Sequence, residues 1–389
     1  MKERIAKLTG EILGKAVELR HDIHQHPEIA YNEYRTADVI SAYLTEIGVP
    51  NERCTDTGVV GTIGSGKGHI VGLRSETDAL PMPDLSGLPY ASVNEGVAHA
   101  CGHDGHMAIL MGAAWVLKQL EPELTGTVKL VFQPAEEGGA GAEKMIRHGL
   151  FDKDKPEAIF SVHGWPNLPV GAMGYRFGSA MAAVDNFNIV ITGKGSHGAM
   201  PHAGVDPIVI AARVIEGLQL VRSRMINPLD PIVITCGMIH GGSAINVIPD
   251  DVRISGTIRS LDPDVRKQIP ALMERMTIET AKASGGSASF EITDGYPPTI
   301  NEEQATAFAR DVMQDVLGEE NAIEILEPVM GGEDFSYYLE KIPGSFMRIG
   351  VGDRPALHNT AYDFNDEAIP SGIKLMAGLA VNFMKNGLD

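Results

Sequence analysis

Apolar positions in the first part of the chain alternate between two kinds of pattern. Amphipathic stretches typical of helices are followed by short apolar runs typical of buried strands. The predicted helices cover about residues 3–25, Glu33–Ile47, Gly105–Leu120 and Gly141–His148, and the predicted strands cover Gly58–Ile63, His69–Arg74, Thr127–Phe132 and Ala158–His163. Strands that alternate with helices usually form a parallel sheet that is covered on both faces. The pattern therefore predicts an α/β fold with a mixed, largely parallel sheet flanked by helices.

The pattern changes near residue 182, because Val184–Thr192 alternates apolar and polar residues. The elements predicted after this strand are a helix from Asp206-Pro207 to Val221, strands Ile232–Ile239 and Val252–Arg259, a helix from about Asp262-Pro263, and strand Ala288–Thr293. Pro270 must lie early in the second of these helices or kink it. The order βαββαβ predicts an inserted ferredoxin-like α+β domain.

After Pro297-Pro298 the chain returns to the first pattern. The predicted elements are helix Glu303–Leu317, strand Ser345–Gly350 and helix Pro370–Lys385. A chain of 389 residues is long enough for two domains. We therefore expect one domain from residues 1–181 and 295–389, interrupted by a second domain from residues 182–294.

Composition excludes several classes of partner. The net charge of −19 disfavours binding to nucleic acid and to anionic membranes. Three cysteines (Cys54, Cys101 and Cys236) are too few and too scattered for a disulfide framework, which indicates a reducing compartment. The amino terminus lacks the apolar core of a signal peptide, and no apolar run approaches the roughly 20 residues of a membrane span. We therefore expect a cytoplasmic protein.

The most chemically dense stretch is His99–His106, which holds a thiol, three imidazoles and a carboxylate. Thiolate and neutral imidazole are ligands that transition metals prefer, and the two glycines of the stretch let the backbone turn these groups inward. Cys101 has two other interpretations, as a small core residue or as the nucleophile of a cysteine hydrolase. The clustered histidines and carboxylates favour a metal site, since a cysteine hydrolase does not need them.

Three further stretches carry the same kind of chemistry. Glu136 and Glu137 follow a predicted strand and a proline, whereas His163 and His358 each lie in a separate stretch. Asp78, Glu136, Glu137 and His163 fall at or just after the ends of predicted strands, where α/β folds place their binding groups. A pair of glutamates is often only a solvated surface, but this context predicts Glu137 as a metal ligand and Glu136 as a general base. The base would take a proton from water whose pKa a metal lowers.

These residues lie in motifs that resemble the M20 metallopeptidase family. The closest resemblance is to its amidohydrolase branch, which includes hippurate hydrolases, N-acyl-amino-acid aminoacylases and auxin-conjugate hydrolases. The resemblance extends from Arg20–Glu28 to Asn359–Asp366. The motifs that carry it are Asp78–Pro81, His99–His106, Phe132–Gly138, Gly193–Pro207, Asn246–Pro249, Gly331–Phe335 and His358. Glu76 departs from the pattern, because the branch more usually has an aspartate there, and Met82-Pro83-Asp84 stands where an acidic pair is commoner.

The resemblance implies a zinc-exopeptidase-like catalytic domain and a role for each matching residue. The ligands that it implies for a centre of two divalent metal ions, Mn²⁺, Zn²⁺ or Ni²⁺, are Cys101, His103, Glu137, His163 and His358. Glu136 matches the catalytic base, and Asp78 matches the carboxylate that supports the site. His197 matches the histidine that stabilises the oxyanion, often from the partner subunit. The positions that match substrate-binding residues are Asn246, Arg259 and His202, although Arg259 could also be an exposed strand cation.

The implied activity is hydrolysis of the amide bond of small N-acyl or N-aroyl amino acids. The inserted domain resembles a lid and dimerisation domain, which implies a homodimer, with a tetramer as the larger alternative. One rival interpretation is an M20-type dipeptidase or carboxypeptidase that uses the same centre. The others are a metal-binding protein without turnover and a cysteine hydrolase.

Overall fold

The computed structural model of the chain describes residues 1–64 and 66–388. Its helices are α1 (Lys2–Gln25), α2 (Tyr34–Glu46), α3 (His103–Leu120), the short irregular turn α4 (Glu136–Gly139), α5 (Gly141–Arg147), α6 (Pro207–Leu220), α7 (Pro263–Ala283), α8 (Glu303–Leu317), α9 (Ser336–Leu339) and α10 (Ile369–Asn386). Its strands are β1 (Asn51–Arg53), β2 (Val59–Gly64), β3 (Ile70–Glu76), β4 (Thr127–Gln133), β5 (Ala158–Trp165), β6 (Met173–Tyr175), β7 (Gly178–Met181), β8 (Ala183–Thr192), β9 (Ser196–His197), β10 (Ile232–Gly241), β11 (Val247–Ile248), β12 (Asp251–Ser260), β13 (Ser287–Thr293), β14 (Thr299–Asn301), β15 (Ala322–Glu324) and β16 (Gly344–Gly350). Within the described residues, every helix is too short or too polar to cross a membrane.

The chain divides into two units. Unit 1 comprises Met1–Gly178, Ile300–Glu327 and Asp334–Asp389, and unit 2 comprises Ser179–Thr299 and Pro328–Glu333.

Unit 1 is built on an eight-stranded sheet with the order β1-β2-β4-β3-β5-β16-β6-β15. Its four central strands, β4, β3, β5 and β16, run parallel to one another. The antiparallel pairs lie outside this centre, between β1 and β2, β2 and β4, and β16 and β6. The prediction of a mixed, largely parallel sheet flanked by helices is therefore confirmed.

Helix α3 is the central helix of unit 1, because it packs against both α1 and α10. Nearly all of its residues are buried, as expected for a helix that is apolar on most of its circumference. At Gly112 an added Cβ would lie 2.4 Å from Cδ1 of Ile373, so the side chain of Ile373 in α10 would have to move to make room for it. Close packing on several sides fixes the N-terminus of α3, where His103 lies.

Unit 2 contains a four-stranded antiparallel sheet with the order β10-β12-β8-β13, against which α6 and α7 pack. Strand β8 alternates buried and more exposed residues, as its sequence predicts. Asp206 and Asp262 cap the two helices through their side chains, and each is followed by a proline at the first helical position. Helix α7 continues through Pro270. The four strands of this sheet and the two helices follow one another along the chain in the order βαββαβ.

Candidate metal centre

The candidate site of unit 1 lies where β3, β4 and β5 approach the N-terminus of α3. Asp78 follows the end of β3, and Glu136 and Glu137 follow β4. The prediction for His163 was wrong in one respect, because β5 continues to Trp165 and His163 lies within it, opposite Arg348 of β16. The strand is longer than predicted because it pairs with β16. A pairing between distant segments cannot be inferred from the local sequence.

Gly102 lets the chain turn sharply between Cys101 and His103. Its φ is 84°, in the left-handed region, and an added Cβ would lie 2.9 Å from the hydroxyl of Tyr362. Both its conformation and its surroundings therefore require glycine. On one side of this turn the Cys101 Sγ lies 3.5 Å from Nε2 of His163, and on the other side His103 begins α3.

The protonation of two buried histidines follows from the backbone groups that they contact. Nδ1 of His103 lies 2.8 Å from the carbonyl oxygen of Asp78, and Nδ1 of His163 lies 2.9 Å from the carbonyl oxygen of Gly164. A carbonyl oxygen can only accept a hydrogen bond, so both Nδ1 atoms carry the hydrogen in the neutral ring. The lone pair is therefore on Nε2 in both rings, as in metal-binding histidines.

His106 differs from these two histidines because both of its ring nitrogens are occupied. Its Nε2 accepts a hydrogen bond from the backbone N–H of Gly164 at 2.7 Å, and its Nδ1 donates to the Glu76 carboxylate at 3.0 Å. Arg74 also donates to Glu76. His106 thus has no lone pair left for a cation, although its ring nitrogens lie near those of His103 and His163. It is a hydrogen-bonded support of β5.

A second group of donors contains Cys101, Glu137 and His358, whose ligand atoms all lie within 4.8 Å of one another. Nε2 of His358 lies 3.1 Å from Oε1 of Glu137. The backbone of His358 has a φ of 63°, and its N–H donates to the carbonyl of Ala100, which holds the residue beside Cys101. The Asp78 carboxylate accepts the backbone N–H of Glu137 at 2.9 Å.

Glu136 belongs to a third group, with His103 and Glu137. It is 6 % exposed. The turn α4 that carries both glutamates is not a regular helix, because Glu137 and Gly138 have non-helical backbone angles and Ala135 before them has a φ of 54°. The two adjacent carboxylates can therefore point to the same group of donors.

The electrostatics of the site favour a cation. Burial raises the pKa of the Cys101 thiol well above its usual value, and the charges of Glu137 and Glu136 raise it further. Burial alone would lower the pKa of His103, but the side-chain hydrogen bond with the Asp78 carboxylate and the charge of Glu76 raise it to about 10. Burial holds the pKa of His163 well below its ordinary value. Carboxylates thus dominate the field around Cys101 and His103, and positive charge is stabilised there.

The residues present fit a divalent metal ion. Nε2 of His103 is buried and has no hydrogen-bond partner within the described part of the chain. A buried nitrogen without a hydrogen-bond partner is costly, and in the neutral ring this nitrogen carries the lone pair that can bind a cation. The neighbouring thiol, imidazoles and carboxylates are the ligand types of zinc and related transition metals.

The site residues predicted in unit 2 lie at its surface. His197 and Asn246 are neighbours, because β9 pairs with β11 and the carbonyl of Asn246 accepts the N–H of Gly198 at 2.7 Å. Nδ1 of His197 accepts the N–H of Ala199 at 3.1 Å, so Nε2 carries the hydrogen when the ring is neutral. His202 is exposed, and Arg259 is partly buried in β12. Burial lowers the pKa of Arg259, whereas Asp185 raises it.

Two carboxylates that support the α4 turn or the start of α5 were not predicted from the sequence. Glu33 accepts the backbone N–H of Ala135 at 2.9 Å, and Asp334 accepts that of Ala142 at 3.0 Å. Asp334 lies within one of the motifs given above, which is a signal that could have identified it. Glu33 stands at the start of a predicted helix, where its position suggests only a cap.

The chain is similar to known proteins over most of its length. The model of peptidase family M20/M25/M40 matches residues 72–382. N-acetyl-L-cysteine deacetylase of Bacillus subtilis is 41 % identical over 355 residues, which cover 90 % of this chain and 84 % of the relative. IAA-amino acid hydrolase ILR1-like 4 of Arabidopsis thaliana is 38 % identical over 95 % of this chain and 85 % of the relative.

A solved structure is similar over almost the whole chain. It is the Bacillus subtilis YXEP protein, described as a dinuclear metal binding peptidase of the M20 family. The TM-score is 0.86 with 34 % identity, over 97 % of this chain and 99 % of that chain. The resemblance to the amidohydrolase branch is confirmed, and the chain belongs to peptidase family M20/M25/M40.

Proposed function

We propose that this hydrolase cleaves the amide bond of N-acyl or N-aroyl amino acids with the help of two divalent cations. The observation that carries the proposal is the arrangement of Glu136 and Glu137. The two carboxylates lie side by side on α4, and their oxygens lie within 4.8 Å of a nitrogen of His103. One carboxylate can bind a cation while the other remains available as a base. The relatives named as a deacetylase and as an IAA-amino acid hydrolase support this substrate class.

Five side chains would hold the cations, namely Cys101, His103, Glu137, His163 and His358. When bound, divalent cations at this site lower the pKa of water and polarise the carbonyl of the substrate. The physiological metal would be Mn²⁺, Zn²⁺ or Ni²⁺, because the mixed donor set suits all three. Asp78 supports the ligands, since its backbone carbonyl orients His103 and its carboxylate holds the backbone of Glu137.

Glu136 acts as the general base in this proposal. It accepts the proton of the attacking water and then delivers it to the nitrogen of the leaving amine. Burial of Glu136 keeps the carboxylate away from bulk water, so that the proton it accepts is retained for the second transfer. A protein that only stored metal would need no such carboxylate beside the ligand Glu137.

Four residues of unit 2 have proposed roles toward the substrate. His197 would donate its Nε2 hydrogen to the oxyanion, which agrees with the acceptor role of its Nδ1. Arg259 would bind the substrate carboxylate, for which a guanidinium is well suited. Asn246 and His202 would contact the substrate through their exposed side chains.

We also propose that the protein is a cytoplasmic homodimer that associates through unit 2. Among the described strands, β10 pairs only with β12 in this sheet and is an edge strand. Two large apolar side chains near its end, Met238 and Ile239, are 55 % and 52 % exposed. An exposed apolar edge strand is a favourable site for pairing with another copy of the chain.

A dipeptidase or carboxypeptidase that uses the same centre is the second candidate. The similar YXEP structure is described as a peptidase, which favours it. Such an enzyme needs a negative group that holds the α-amino group of a peptide. Activity on dipeptides without activity on acylated amino acids would support it.

The test is release of free amino acid from hippurate and a panel of N-acetyl amino acids. Protein is first treated with a chelator, and Mn²⁺, Zn²⁺ or Ni²⁺ is then added back. We expect activity to be lost on chelation and restored by metal. Folded, metal-loaded protein that is inactive on the panel but active on dipeptides would replace the proposal by the second candidate. Activity that resists chelation would favour a cysteine hydrolase.

A further inference from the structure

Glu33 is a buried carboxylate to which the mechanism above assigns no role. Its exposed fraction is 0 %, and it forms no ion pair with the described residues. Burial raises its pKa to about 7. A carboxylate in such surroundings is costly for the fold unless its hydrogen bonds compensate for lost hydration. Its contacts therefore indicate what it does.

The position of Glu33 at the start of α2 suggests a helix cap, but its side chain does not serve as one. The first turn of α2 is capped by Glu28, whose carboxylate accepts the N–H groups of Arg35 and Thr36 at 3.1 and 2.8 Å. The side chain of Glu33 makes no such bond to its own helix. It accepts instead the backbone N–H of Ala135 at 2.9 Å.

Ala135 immediately precedes the two glutamates of the site and has an unfavourable conformation. Its φ of 54° lies in the left-handed region, which an alanine rarely adopts, and Ala140 at the other end of the turn has a φ of 53°. Residues in such conformations need support from the surrounding structure. The hydrogen bond from Ala135 to Glu33 supplies it at the N-terminal end of the turn.

Neighbouring side chains brace this turn and the start of α5 at other points. Tyr31 donates its hydroxyl hydrogen to the carbonyl of Gly139 at 2.5 Å. Asp78 accepts the N–H of Glu137, and Asp334 accepts the N–H of Ala142. Among these braces, Glu33 and Asp78 are bonded to the two residues that flank Glu136.

We propose that Glu33 is a positioning residue, which places Glu136 and Glu137 by holding the backbone of Ala135. It contacts neither substrate nor metal and acts through the turn. The inference rests on the proposed function for the role of Glu136. Because Glu33 also places the proposed ligand Glu137, its loss should weaken metal binding, and this can be measured whether or not the enzyme turns over substrate.

The test compares Glu33→Ala with Glu28→Ala. Glu33→Ala removes a buried carboxylate and Glu28→Ala removes a half-buried one from the same segment, but only Glu33 is bonded to the turn. For Glu33→Ala we expect kcat to fall about 100-fold with little change in KM, because a displaced general base slows the reaction without weakening substrate binding. The dissociation constant for Zn²⁺, measured by competition with a chromophoric chelator, should rise about 10-fold. Glu28→Ala should lower the melting temperature only.

A conservative variant distinguishes positioning from general stability. Glu33→Gln keeps an oxygen that can accept the N–H of Ala135, so kcat and Zn²⁺ affinity should remain within about threefold of the original values. Glu33→Asp keeps the charge but withdraws the carboxylate, so an intermediate loss is expected. This variant also serves if Glu33→Ala does not fold.

The proposal is overturned if folded Glu33→Ala, or Glu33→Asp in its place, keeps the original kcat and Zn²⁺ affinity. It is also overturned if Glu28→Ala reduces both quantities to the same extent. If the unmodified, metal-loaded protein hydrolyses none of the substrates, the proposed function fails. In that case the Zn²⁺ affinities of the Glu33 and Glu28 variants still decide whether Glu33 positions the turn.

Discussion

The two units hold their candidate site residues in opposite ways. In unit 1, Glu137 is half-buried and His358 is exposed, but Cys101, His103, Glu136 and His163 are 7 %, 1 %, 6 % and 5 % exposed. Strands, a helix N-terminus and backbone carbonyls fix these side chains from several directions. In unit 2, the residues matched to substrate contacts lie on or near the surface, and His197 is held by a two-residue strand and by two hydrogen bonds within its own loop.

The fold orients the buried site residues of unit 1, whereas the exposed site residues of unit 2 become oriented only when a ligand binds. A buried donor set is rigid before any ligand arrives, and a rigid set favours one geometry of coordination. Exposed side chains lose conformational freedom only when they bind something. Substitutions in unit 1 should therefore alter metal binding or chemistry, whereas those in unit 2 should alter turnover or assembly and leave the metal in place.

The largest expected effect is that of Glu136→Gln. The amide cannot accept a proton from water, so kcat should fall about 1,000-fold, while the metal content and KM stay unchanged. Steady-state kinetics and metal analysis of the same preparation measure both. Glu137→Gln is the matched control, because the neighbouring position should lose metal as well as activity. Retention of more than a tenth of kcat in Glu136→Gln would exclude it as the base.

A smaller loss is expected for His197→Ala in unit 2. Removal of one hydrogen-bond donor to an oxyanion typically costs a factor of about 100 in kcat. The affinity for Zn²⁺ should not change, in contrast with any substitution of a ligand in unit 1. His240→Ala removes another exposed histidine of unit 2 and serves as the control. Equal kcat values for the two variants would contradict the proposed role.

The sequence predicts the long elements of both units and misses the short ones. Helix α3 was expected over Gly105–Leu120, and strand β8 over Val184–Thr192, because their patterns extend over several turns or several alternations. Strands β1, β6 and β15 have three residues each. They exist because β2, β16 and β6 pair with them, so no local pattern reveals them. The extension of β5 beyond His163 has the same cause.

The supporting contacts of the candidate site likewise cannot be predicted from the local sequence. Cysteine, histidine and glutamate carry their ligand chemistry in the side chain, so the stretches around Cys101 and Glu137 can be recognised locally. The hydrogen bonds of Glu33 and Asp334 join residues 102 and 192 positions apart in the chain. Their donors are backbone N–H groups, which every residue but proline has. The sequence therefore contains no signal for the hydrogen bond between Glu33 and Ala135.

The proposed dimerisation through unit 2 can be tested by a substitution that does not alter unit 1. Ile239→Lys places a charge on the exposed apolar edge of β10, where a partner strand would bury it. The dissociation constant of the dimer should rise at least about 10-fold, which sedimentation measures over a concentration series. Leu229→Lys is the control, because Leu229 is 85 % exposed and lies outside β10. A Kd equal to that of the original protein would place the interface elsewhere.

The smallest effect on turnover at neutral pH is expected for His24→Asn, which tests the buried charges of unit 1. Burial alone would lower the pKa of His24, but the charge and hydrogen bond of Asp104, with Asp84, raise it to about 9. Because the folded value lies above the unfolded value of 6.5, the stabilisation is fully present below pH 6.5 and is lost as pH rises through 9.

The free energy of unfolding should be higher for the original protein than for His24→Asn. This difference should fall by about 2 kcal/mol between pH 7 and pH 9. Urea unfolding of both proteins at several pH values measures it. His240→Asn, at an exposed position of unit 2, should show no such change in its difference from the original protein. A pH-independent difference for His24→Asn would mean that Asp104 and Asp84 do not stabilise a charged imidazole. The buried histidine would then be neutral, and the contrast between the charged interior of unit 1 and the exposed histidines of unit 2 would rest on burial alone.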